Sequence, residues 1–574
     1  MNYLEEYNRW LNSPNLSEEE WKELDSIAGD EKEIKERFFA PLEFGTAGLR
    51  GTMKVGLHNM NIHVIRHATQ AFAEVICQCG EEAMERGIII AHDCRLRGHD
   101  FACEAARIMA ANGIHVRMFN ELRPTPELSF SVIHYGAAAG LNITASHNPR
   151  EYNGYKVYWS DGAQLPPAQA DAIAEKMRSS DIFTCYKTCS YKEALAAGEI
   201  EIIGEETDEL FLSSVMNQVI DTEAIKKAAD DFAIVYTPFH GCGHILVPAA
   251  LKRAGFKHIY PVPEQMVIDG NFPTVVSPNP ENPEGFYLAV DLAKEVDSDL
   301  IIGTDPDSDR VGTMVRRNGE YVTITGNQMG ALLADYIIGA RLSTGSMPEN
   351  PGILSSIVST GLTRVICEAN NVHFEDTFTG FKFMAERLSK WEEDKSYSYL
   401  LAFEESYGYM MGDYVRDKDA VTATLVIAEM AAHYYNRGMT LLDALDALYE
   451  KYGYFMEHTI NVVMPGVDGL EKMAQLMAGL RENPLANVAG VPVLRVRDYA
   501  DGSISVAGLG KIGETPYYGS NVLYYELADS STFIIRPSGT EPKIKIYILA
   551  RGGNREACME AVEKYRAFAE TLGK

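Results

Sequence analysis

The sequence predicts an α/β protein with three α/β domains, built on mixed or parallel sheets, and a smaller C-terminal α+β domain. The chain has 574 residues, more than one hydrophobic core usually organises and enough for three or four domains. Short apolar runs ending in polar loops alternate with segments of helical periodicity, as in sheets covered by helices on both faces. In the last fifth of the chain the pattern changes to shorter strands and turns, with one closing helix predicted over residues 555–572.

The first predicted domain begins with helices and continues with a strand and helix alternation. Trp10, Trp21 and Phe38 stand among many charges in the first 40 residues, which indicates helices that pack on the body. An apolar stripe with helical spacing then runs from Phe72 to Ala83. Further on, we predict a helix over residues 101–112 and strands over residues 87–91, 114–118 and 140–143.

The same alternation continues through the middle of the chain. Strands are predicted at residues 233–236 and 300–302, and long buried helices at residues 326–342 and 420–435. Breaks in the pattern divide the chain into four predicted domains. Their boundaries are residues 1–205, 206–322, 323–455 and 456–574.

Charge and composition exclude several classes of partner. The formal net charge is −29, and a strongly acidic surface gains nothing from nucleic acid or an anionic membrane. No window approaches the roughly 18 apolar residues of a membrane span, and the first residues lack a basic and then apolar leader pattern. The nine cysteines are scattered and do not form a disulfide framework. We therefore expect a cytoplasmic protein that binds neither nucleic acid nor a membrane.

A polar loop, Thr144-Ala-Ser-His-Asn-Pro149, follows the predicted strand at residues 140–143. In open α/β sheets, ligands bind in loops at the carboxyl ends of the strands. The loop offers the hydroxyl of Ser146 and the imidazole of His147, in a turn that Pro149 restricts. Taken alone, the same residues also fit a capped turn before a helix.

An acidic loop follows the strand at residues 300–302. Asp305, Asp307 and Asp309 alternate there, and three carboxylates can converge on one hard cation such as Mg²⁺ or Ca²⁺. An EF-hand is excluded because Arg310 and Arg316 occupy the positions of its glycine and its glutamate. A solvated acidic turn is the alternative, although three like charges without a counter-ion repel one another.

Two further segments carry groups suited to a phosphate and to a sugar, and a third is a short run of charges. Residues 536–543 combine Arg, two hydroxyls, glycine and Lys, which can cradle a phosphate or form a solvated hairpin turn. Residues 401–408 offer two carboxylates and a hydroxyl, which suit sugar hydroxyls. Residues 416–419, Arg-Asp-Lys-Asp, are in isolation more typical of a surface charge run.

Taken together, these loops resemble those of the α-D-phosphohexomutase superfamily, in its phosphoglucomutase and phosphomannomutase branch that includes bacterial phosphoglucomutases and phosphopentomutase-like enzymes. The resemblance covers nearly the whole chain and rests on five ordered motifs. They are residues 44–51, 144–149 with 152–156, 305–310, 403–408 and 536–543. It implies four domains around a central cleft.

The resemblance also implies a role for individual residues. Ser146 would carry the phosphoryl group, with Lys156 as general acid or base and Arg50 and His147 in support. One Mg²⁺ per chain would be held by Ser146, Asp305, Asp307 and Asp309. Substrate would be bound by Glu404, Ser406, Lys418, Arg310, Arg536, Ser538, Gly539 and Thr540.

The implied reaction interconverts glucose 1-phosphate and glucose 6-phosphate through a phosphoserine and a glucose 1,6-bisphosphate, which also serves as primer. Mannose phosphates are expected as further substrates. A phosphopentomutase acting on ribose or deoxyribose 1-phosphate is the alternative within the class. A serine-based sugar phosphatase and a non-catalytic phosphosugar-binding protein are the alternatives outside it. We expect a small phosphosugar as the partner and a monomer or homodimer.

Overall fold

The computed structural model describes residues 2–42, 48–464, 469–506, 508–538 and 543–572. The chain divides into two compact units. The first unit comprises Met1–Gly326, Gly339–Gly352 and Gly380–Thr440, and the second comprises Asn327–Ile338, Ile353–Thr379 and Leu441–Lys574. No helix within the described ranges is long and apolar enough to cross a membrane.

Helices and strands alternate through the first 230 residues. The helices are α1 (Tyr3–Leu11), α2 (Glu18–Ser26), α3 (Glu31–Phe38), α4 (Ile62–Gln78), α5 (Glu81–Arg86), α6 (Gly98–Ala111), α7 (Thr125–His134), α8 (Pro167–Ser179), α9 (Tyr191–Ala197), α10 (Glu205–Met216) and α11 (Thr222–Ala228). The strands are β1 (Leu49–Thr52), β2 (Ile88–His92), β3 (Val116–Phe119), β4 (Ala139–Ile143), β5 (Tyr152–Trp159) and β6 (Ile200–Ile203).

The alternation continues to residue 452. The helices are α12 (Gly243–Ala254), a 3-10 turn (Pro283–Phe286), α13 (Tyr287–Val296), α14 (Gly326–Thr344), α15 (Leu362–Ala369), α16 (Phe381–Asp394), α17 (Ala420–Tyr435) and α18 (Leu441–Tyr452). The strands are β7 (Ala233–Thr237), β8 (His258–Pro261), β9 (Leu300–Thr304), β10 (Val311–Arg317), β11 (Glu320–Ile324), β12 (Pro351–Ser356), β13 (His373–Thr377), β14 (Ser398–Glu404) and β15 (Gly408–Met410).

The remaining elements are mostly strands. They are β16 (Tyr454–Val463), α19 (Gly469–Glu482), β17 (Asn487–Val488), β18 (Val491–Asp498), β19 (Ser503–Val506), β20 (Gly510–Glu514), β21 (Leu523–Leu527), β22 (Thr532–Pro537), β23 (Lys543–Gly552) and α20 (Arg555–Ala569). In the second unit these strands form an antiparallel sheet in the order β16-β23-β22-β21-β18-β19-β20, with β17 paired to β18. The predicted change to strand-rich structure is confirmed.

The first sheet of the first unit is mixed, in the order β1-β5-β4-β2-β3-β6. Strands β4, β2, β3 and β6 are parallel neighbours, whereas β5 runs antiparallel to both β4 and β1. This register places Lys156 opposite Asn142 and Arg50 opposite Gly154. A Cβ at Gly154 would lie 2.3 Å from the carbonyl oxygen of Thr144, so only glycine lets β5 approach residues 144–149, the serine loop, this closely.

The second sheet has the order β11-β10-β9-β7-β8. Strands β8, β7 and β9 are parallel, and β10 is antiparallel to β9 with Thr304 opposite Val311. The acidic loop at residues 305–310 is therefore the connection of a hairpin. A Cβ at Gly241 would lie 2.4 Å from the Cα of Pro306, so this glycine permits close packing of the neighbouring loop against the acidic loop.

The predicted α/β fold class is confirmed, with three α/β parts followed by a β-rich C-terminal part. One helix differs from its prediction. The apolar stripe from Phe72 to Ala83 is split between α4 and α5, because Gly80 takes a φ of +96° that a continuous helix cannot contain. Sequence periodicity does not show this break, because Ala83 is buried whether it belongs to one long helix or to a separate α5.

The N-terminal helices pack on the first sheet domain, as predicted. Trp10 is fully buried, with ring centroids 5.7 Å from Phe38, 5.5 Å from His63 and 5.0 Å from Phe183. Trp21, in contrast, is 44% exposed. The two tryptophans therefore differ in what they contribute to stability.

We expect Trp10→Ala to lower the free energy of unfolding by about 3–5 kcal/mol, because it leaves a cavity among aromatic rings. Trp21→Ala is the matched control and should change it by no more than about 0.5 kcal/mol. Urea unfolding followed by circular dichroism measures both. Equal effects of the two substitutions would contradict the packing of α1 described above.

Candidate functional site

Ser146 lies in the loop that follows β4, at the carboxyl end of a fully buried strand. Its side chain is almost completely buried, and its backbone φ is +51°. The Oγ atom donates to Oδ2 of Asp305 over 2.8 Å and lies 3.1 Å from Nδ1 of His147. The structure thus brings together the serine and the first aspartate of the acidic loop, which are 159 residues apart in sequence.

The three aspartates of the acidic loop converge. Asp305, Asp307 and Asp309 are buried, and each offers a carboxylate oxygen within 4.8 Å of the others. Oδ1 of Asp305 accepts from the backbone nitrogens of Asp309 and Arg310, each over 2.9 Å. Burial, reinforced by the two neighbouring carboxylates, raises the pKa of Asp305 well above its usual range.

These carboxylates have the chemistry of a divalent cation site. The Oδ1 atoms of Asp307 and Asp309 are buried and accept no hydrogen bond from the described residues, and Nε of Arg310 lies 4.0 Å from Oδ1 of Asp309. Unpartnered carboxylate oxygens crowded together in the interior are costly unless a positive charge meets them. Mg²⁺ takes oxygen ligands of this kind, so the residues present fit such an ion.

Two lysines reach the same carboxylates from different segments. Lys156 Nζ, on β5, lies 2.7 Å from Oδ2 of Asp307 and 3.0 Å from Oδ2 of Asp309. Lys418 Nζ lies 3.2 Å from the same Oδ2 of Asp309. Burial alone would raise the pKa of Asp309, but the two ammonium groups outweigh it and hold that pKa far below its usual range. Both lysines remain protonated, since these carboxylates raise their pKa despite burial.

Arg50 and His147 complete the surroundings of the serine loop. Arg50, on β1, donates through Nη1 to Oδ1 of Asn148 over 2.8 Å. Burial, with Arg310 and Arg50 close by, lowers the pKa of His147 well below its usual range. His147 is therefore neutral near pH 7, and its Nδ1 can share a hydrogen bond with Ser146.

The predicted sugar loop, residues 403–408, starts with the last two residues of β14. Glu404 is buried, accepts from the backbone nitrogen of Gly380 over 2.5 Å, and pairs in register with Gly408. The carbonyl of Tyr407 accepts from the backbone nitrogen of Val311 over 3.0 Å, which joins this loop to the end of the acidic loop. Ser406 is half-buried.

Arg310 is held at the end of the acidic loop. Its Nη1 donates to Oε1 of Glu281 over 2.6 Å, and its buried Nε lies 4.0 Å from Oδ1 of Asp309. Burial alone would lower the pKa of Arg310, but Glu281 and Asp309 raise it, so the guanidinium stays charged.

The predicted phosphate loop belongs to the second unit. Arg536 lies near the end of β22, is half-buried, and its Nη1 lies 3.5 Å from the hydroxyl of Tyr547. The backbone nitrogen of Ser538 donates to the carbonyl of Lys543 over 2.8 Å. Gly539 and Thr540 lie outside the described residues.

Residues 416–419 are not a surface charge run, because all four are buried. Oδ2 of Asp417 accepts from the hydroxyl of Tyr158 and from Nε2 of Gln164, each over 2.8 Å. Its Oδ1 accepts from Nζ of Lys418 over 3.1 Å. Asp419 caps α17 by accepting from the backbone nitrogens of Val421 and Thr422.

Sequence reasoning therefore missed Asp417, Tyr158 and Gln164, which hold Lys418 in place. A signal was present in the neighbouring helix. Nearly every residue of α17 is buried, and a charged segment that leads directly into a buried, mostly apolar helix enters the interior with it. Charge composition alone cannot separate this case from a solvated turn.

Three family models match consecutive parts of the chain. They describe the α/β/α domains I, II and III of phosphoglucomutase/phosphomannomutase and match residues 41–182, 209–319 and 325–452. The chain is also 33% identical over 523 residues to a phosphoglucomutase of Staphylococcus aureus strain MRSA252. That match covers 90% of this chain and 91% of the relative.

Solved structures show the same fold. The pp63/parafusin phosphoglucomutase of Paramecium has a TM-score of 0.67 at 17% identity, with 92% of this chain and 95% of that chain covered. A phosphoglucomutase/phosphomannomutase family protein of Burkholderia thailandensis has a TM-score of 0.64 at 17% identity, with 92% and 97% covered. On the strength of the matched domains and the full-length relative, the chain belongs to the phosphoglucomutase/phosphomannomutase family of the α-D-phosphohexomutase superfamily.

Proposed function

We propose that this protein is a phosphoglucomutase that interconverts α-D-glucose 1-phosphate and glucose 6-phosphate, with mannose phosphates as further substrates. The observation that carries the proposal is the hydrogen bond from Ser146 to Asp305 in a loop of three converging carboxylates. The proposed phosphoryl carrier Ser146, three carboxylates with the chemistry of a cation site and two charged lysines lie within one buried cluster, which supports the proposal. The similar Staphylococcus aureus protein is named a phosphoglucomutase.

In the proposed reaction, phosphorylated Ser146 transfers its phosphoryl group to the free hydroxyl of the substrate. The bond between Oγ and phosphorus breaks as a bond from phosphorus to the substrate oxygen forms, which gives a hexose 1,6-bisphosphate. The substrate hydroxyl loses a proton and Oγ gains one. After the bisphosphate has turned over, its other phosphoryl group returns to Ser146 and the proton moves in the opposite direction.

Lys156 is the candidate carrier of that proton. Its ammonium is buried and held by Asp307 and Asp309, so its position is fixed before substrate arrives. Such preorganisation is what proton transfer and charge stabilisation in a dry site require. Arg50 and neutral His147 would support the phosphoryl oxygens and the serine oxygen.

Asp305, Asp307 and Asp309 would hold one Mg²⁺ together with an oxygen of phosphorylated Ser146. When bound, the ion supplies positive charge to phosphoryl oxygens, where charge must be stabilised during transfer. The donor set consists of oxygens, as this ion prefers. Free glucose 1,6-bisphosphate would prime the serine.

The remaining predicted residues divide between sugar and phosphate. Glu404 would accept hydrogen bonds from sugar hydroxyls, and Ser406 would donate hydrogen bonds to them. Lys418 and Arg310 would form ion pairs with negatively charged groups of the substrate. Residues 536–540 are proposed as the loop for the non-reacting phosphate. We retain the four-domain division at residues 205, 322 and 455, the cytoplasmic location and the monomer or homodimer as predictions.

Two alternatives to a mutase, a phosphatase and a non-catalytic binding protein, can be distinguished from it by the products they form. A serine-based phosphatase would release inorganic phosphate and need no bisphosphate primer. A non-catalytic binding protein would show neither product. The relatives reported above are named for hexose phosphates, which favours a hexose over a pentose as substrate.

The direct test replaces the proposed phosphoryl carrier. We expect Ser146→Ala to lower kcat for glucose 1-phosphate by at least about 10⁴-fold, since no other group would accept the phosphoryl. The exposed Ser213→Ala on α10 is the matched control and should retain full activity. Isomer and free phosphate are measured together, with Mg²⁺ and glucose 1,6-bisphosphate present. Full mutase activity in Ser146→Ala would rule out the phosphoserine mechanism.

Removal and addition of metal test the carboxylate cluster without relying on turnover. Mg²⁺ at about 100 times its Kd should raise the free energy of unfolding by about 2.7 kcal/mol. Asp307→Asn should abolish most of that gain, whereas Asp291→Asn, at an exposed position on α13, should preserve it. Thermal unfolding with and without Mg²⁺ after chelation measures the effect. Equal stabilisation of both variants would place the ion elsewhere.

Lys418 is expected to act in substrate binding. Lys418→Met removes a charge-assisted interaction worth about 1.5–3 kcal/mol, so KM for glucose 1-phosphate should rise about 10- to 100-fold. Lys226→Met is the control, because Lys226 is 67% exposed. Steady-state kinetics separate the constants. A fall in kcat at unchanged KM would assign Lys418 to the transition state instead.

A further inference from the structure

Arg95 has no role in the function proposed above, yet its side chain is hydrogen-bonded to the serine loop. It follows β2, and its side chain is completely buried. The guanidinium donates to four backbone carbonyls, three in the serine loop and one at the first residue of β5. They are Ser146 at 2.6 Å and Asn148 at 2.5 Å from Nη2, and Pro149 and Tyr152 at 2.9 Å from Nη1.

These four hydrogen bonds fix the backbone of the loop around the planar guanidinium of Arg95. The donors of a guanidinium have a fixed fork geometry, so the carbonyls that meet it are fixed relative to one another. A lysine could not reproduce this pattern, since its ammonium is a single point with three rotatable donors. Charge-assisted bonds of this kind are stronger than bonds between neutral groups.

Arg95 is itself held on two sides. Its Nε lies 3.3 Å from Oδ2 of Asp93, and its backbone nitrogen donates to Oδ1 of the same residue over 2.9 Å. Its guanidinium also lies over the ring of Phe272, 5.2 Å from the centroid. The fork therefore has little freedom to swing away from the loop.

Asp93 is also connected to Ser146 by a chain of two hydrogen bonds through Thr144. Oδ2 of Asp93 accepts from the hydroxyl of Thr144 over 2.6 Å, and that hydroxyl oxygen accepts from the backbone nitrogen of Ser146 over 2.8 Å. Arg95 holds the carbonyl of Ser146, and Asp93 with Thr144 holds its amide. Both ends of one residue are thus tied to a single buried ion pair.

Ser146 needs such restraint because its φ of +51° is unfavourable for a residue with a side chain. Conformations of this kind persist where the surroundings determine them, and they occur at functional sites. We propose that Arg95 is a positioning residue that, through Asp93 and Thr144, holds Ser146 in the left-handed conformation from which its Oγ faces Asp305. The proposal rests on Ser146 being the phosphoryl carrier, as proposed above.

The test has to separate positioning from folding. Arg95→Met alone would leave Asp93 buried without its partner, which is destabilising in itself. The double variant D93N/R95M removes both charges, and the asparagine keeps an acceptor for Thr144. Arg95→Lys is the second variant, because it keeps a positive charge beside Asp93 but loses the fork. Arg97→Lys, with a side chain 49% exposed in the same loop, is the matched control.

Steady-state constants and single-turnover phosphorylation of Ser146 by glucose 1,6-bisphosphate, followed by mass spectrometry, are measured for each protein. We expect kcat and the phosphorylation rate to fall about 100-fold in D93N/R95M and at least about tenfold in Arg95→Lys, as misplacement of a reacting group predicts. KM should stay within about threefold of wild type, because the proposed sugar-binding residues lie in other loops. Arg97→Lys should match wild type.

A folded D93N/R95M protein with wild-type kcat would overturn the proposal, and so would a rise in KM at unchanged kcat. If the double variant does not fold, Arg95→Lys decides by the same criteria. Failure of the proposed function itself is recognised separately. In that case the wild-type protein would neither isomerise a hexose phosphate nor accept a phosphoryl group on Ser146.

Discussion

Like charges in a protein interior repel strongly, because little water is present to screen them. Asp305, Asp307 and Asp309 are buried within 4.8 Å of one another, and the segments around them are arranged to offset this repulsion. Lys156 comes from β5 and Lys418 from the segment before α17, and both lie beside Asp309. Oδ1 of Asp307 and Oδ1 of Asp309 accept no hydrogen bond within the described part of the chain, so both oxygens can bind a further positive charge. A cluster of this kind is stable only when several distant parts of the chain are folded correctly.

Backbone geometry brings those parts together. The hairpin of β9 and β10 presents the acidic loop, and β5 carries Lys156 past the serine loop at a distance that only Gly154 permits. The bond from Val311 to Tyr407 joins the acidic loop to the predicted sugar loop. Groups that differ in chemical role therefore share one rigid framework within the first unit. This is the preorganisation that transfer of a charged phosphoryl group requires.

Most of the fold, and the strand-end loops that carry Ser146 and the three aspartates, were predictable from sequence, because short apolar runs that end in polar loops mark strand ends in α/β proteins. The convergence of the three aspartates followed from their alternation after such a run. The break at Gly80 leaves no trace in hydrophobic periodicity, although glycine itself commonly marks the end of a helix. The burial of Asp417 was missed for a different reason. Its partners, Tyr158 and Gln164, are more than 250 residues away, and a composition of charges says nothing about such partners.

The position of Lys418 has a consequence for how this enzyme family member can be altered. The lysine stands between Asp417, which is occupied by Tyr158 and Gln164, and Asp419, which caps a buried helix. Its backbone cannot shift without disturbing one or the other. Substitutions at residues 417, 418 and 419 would therefore all disturb folding, because each of these side chains is buried and holds a partner in the same network. Altered sugar preference is better sought in side chains that touch the lysine, such as Phe381, whose ring lies 5.2 Å from its ammonium.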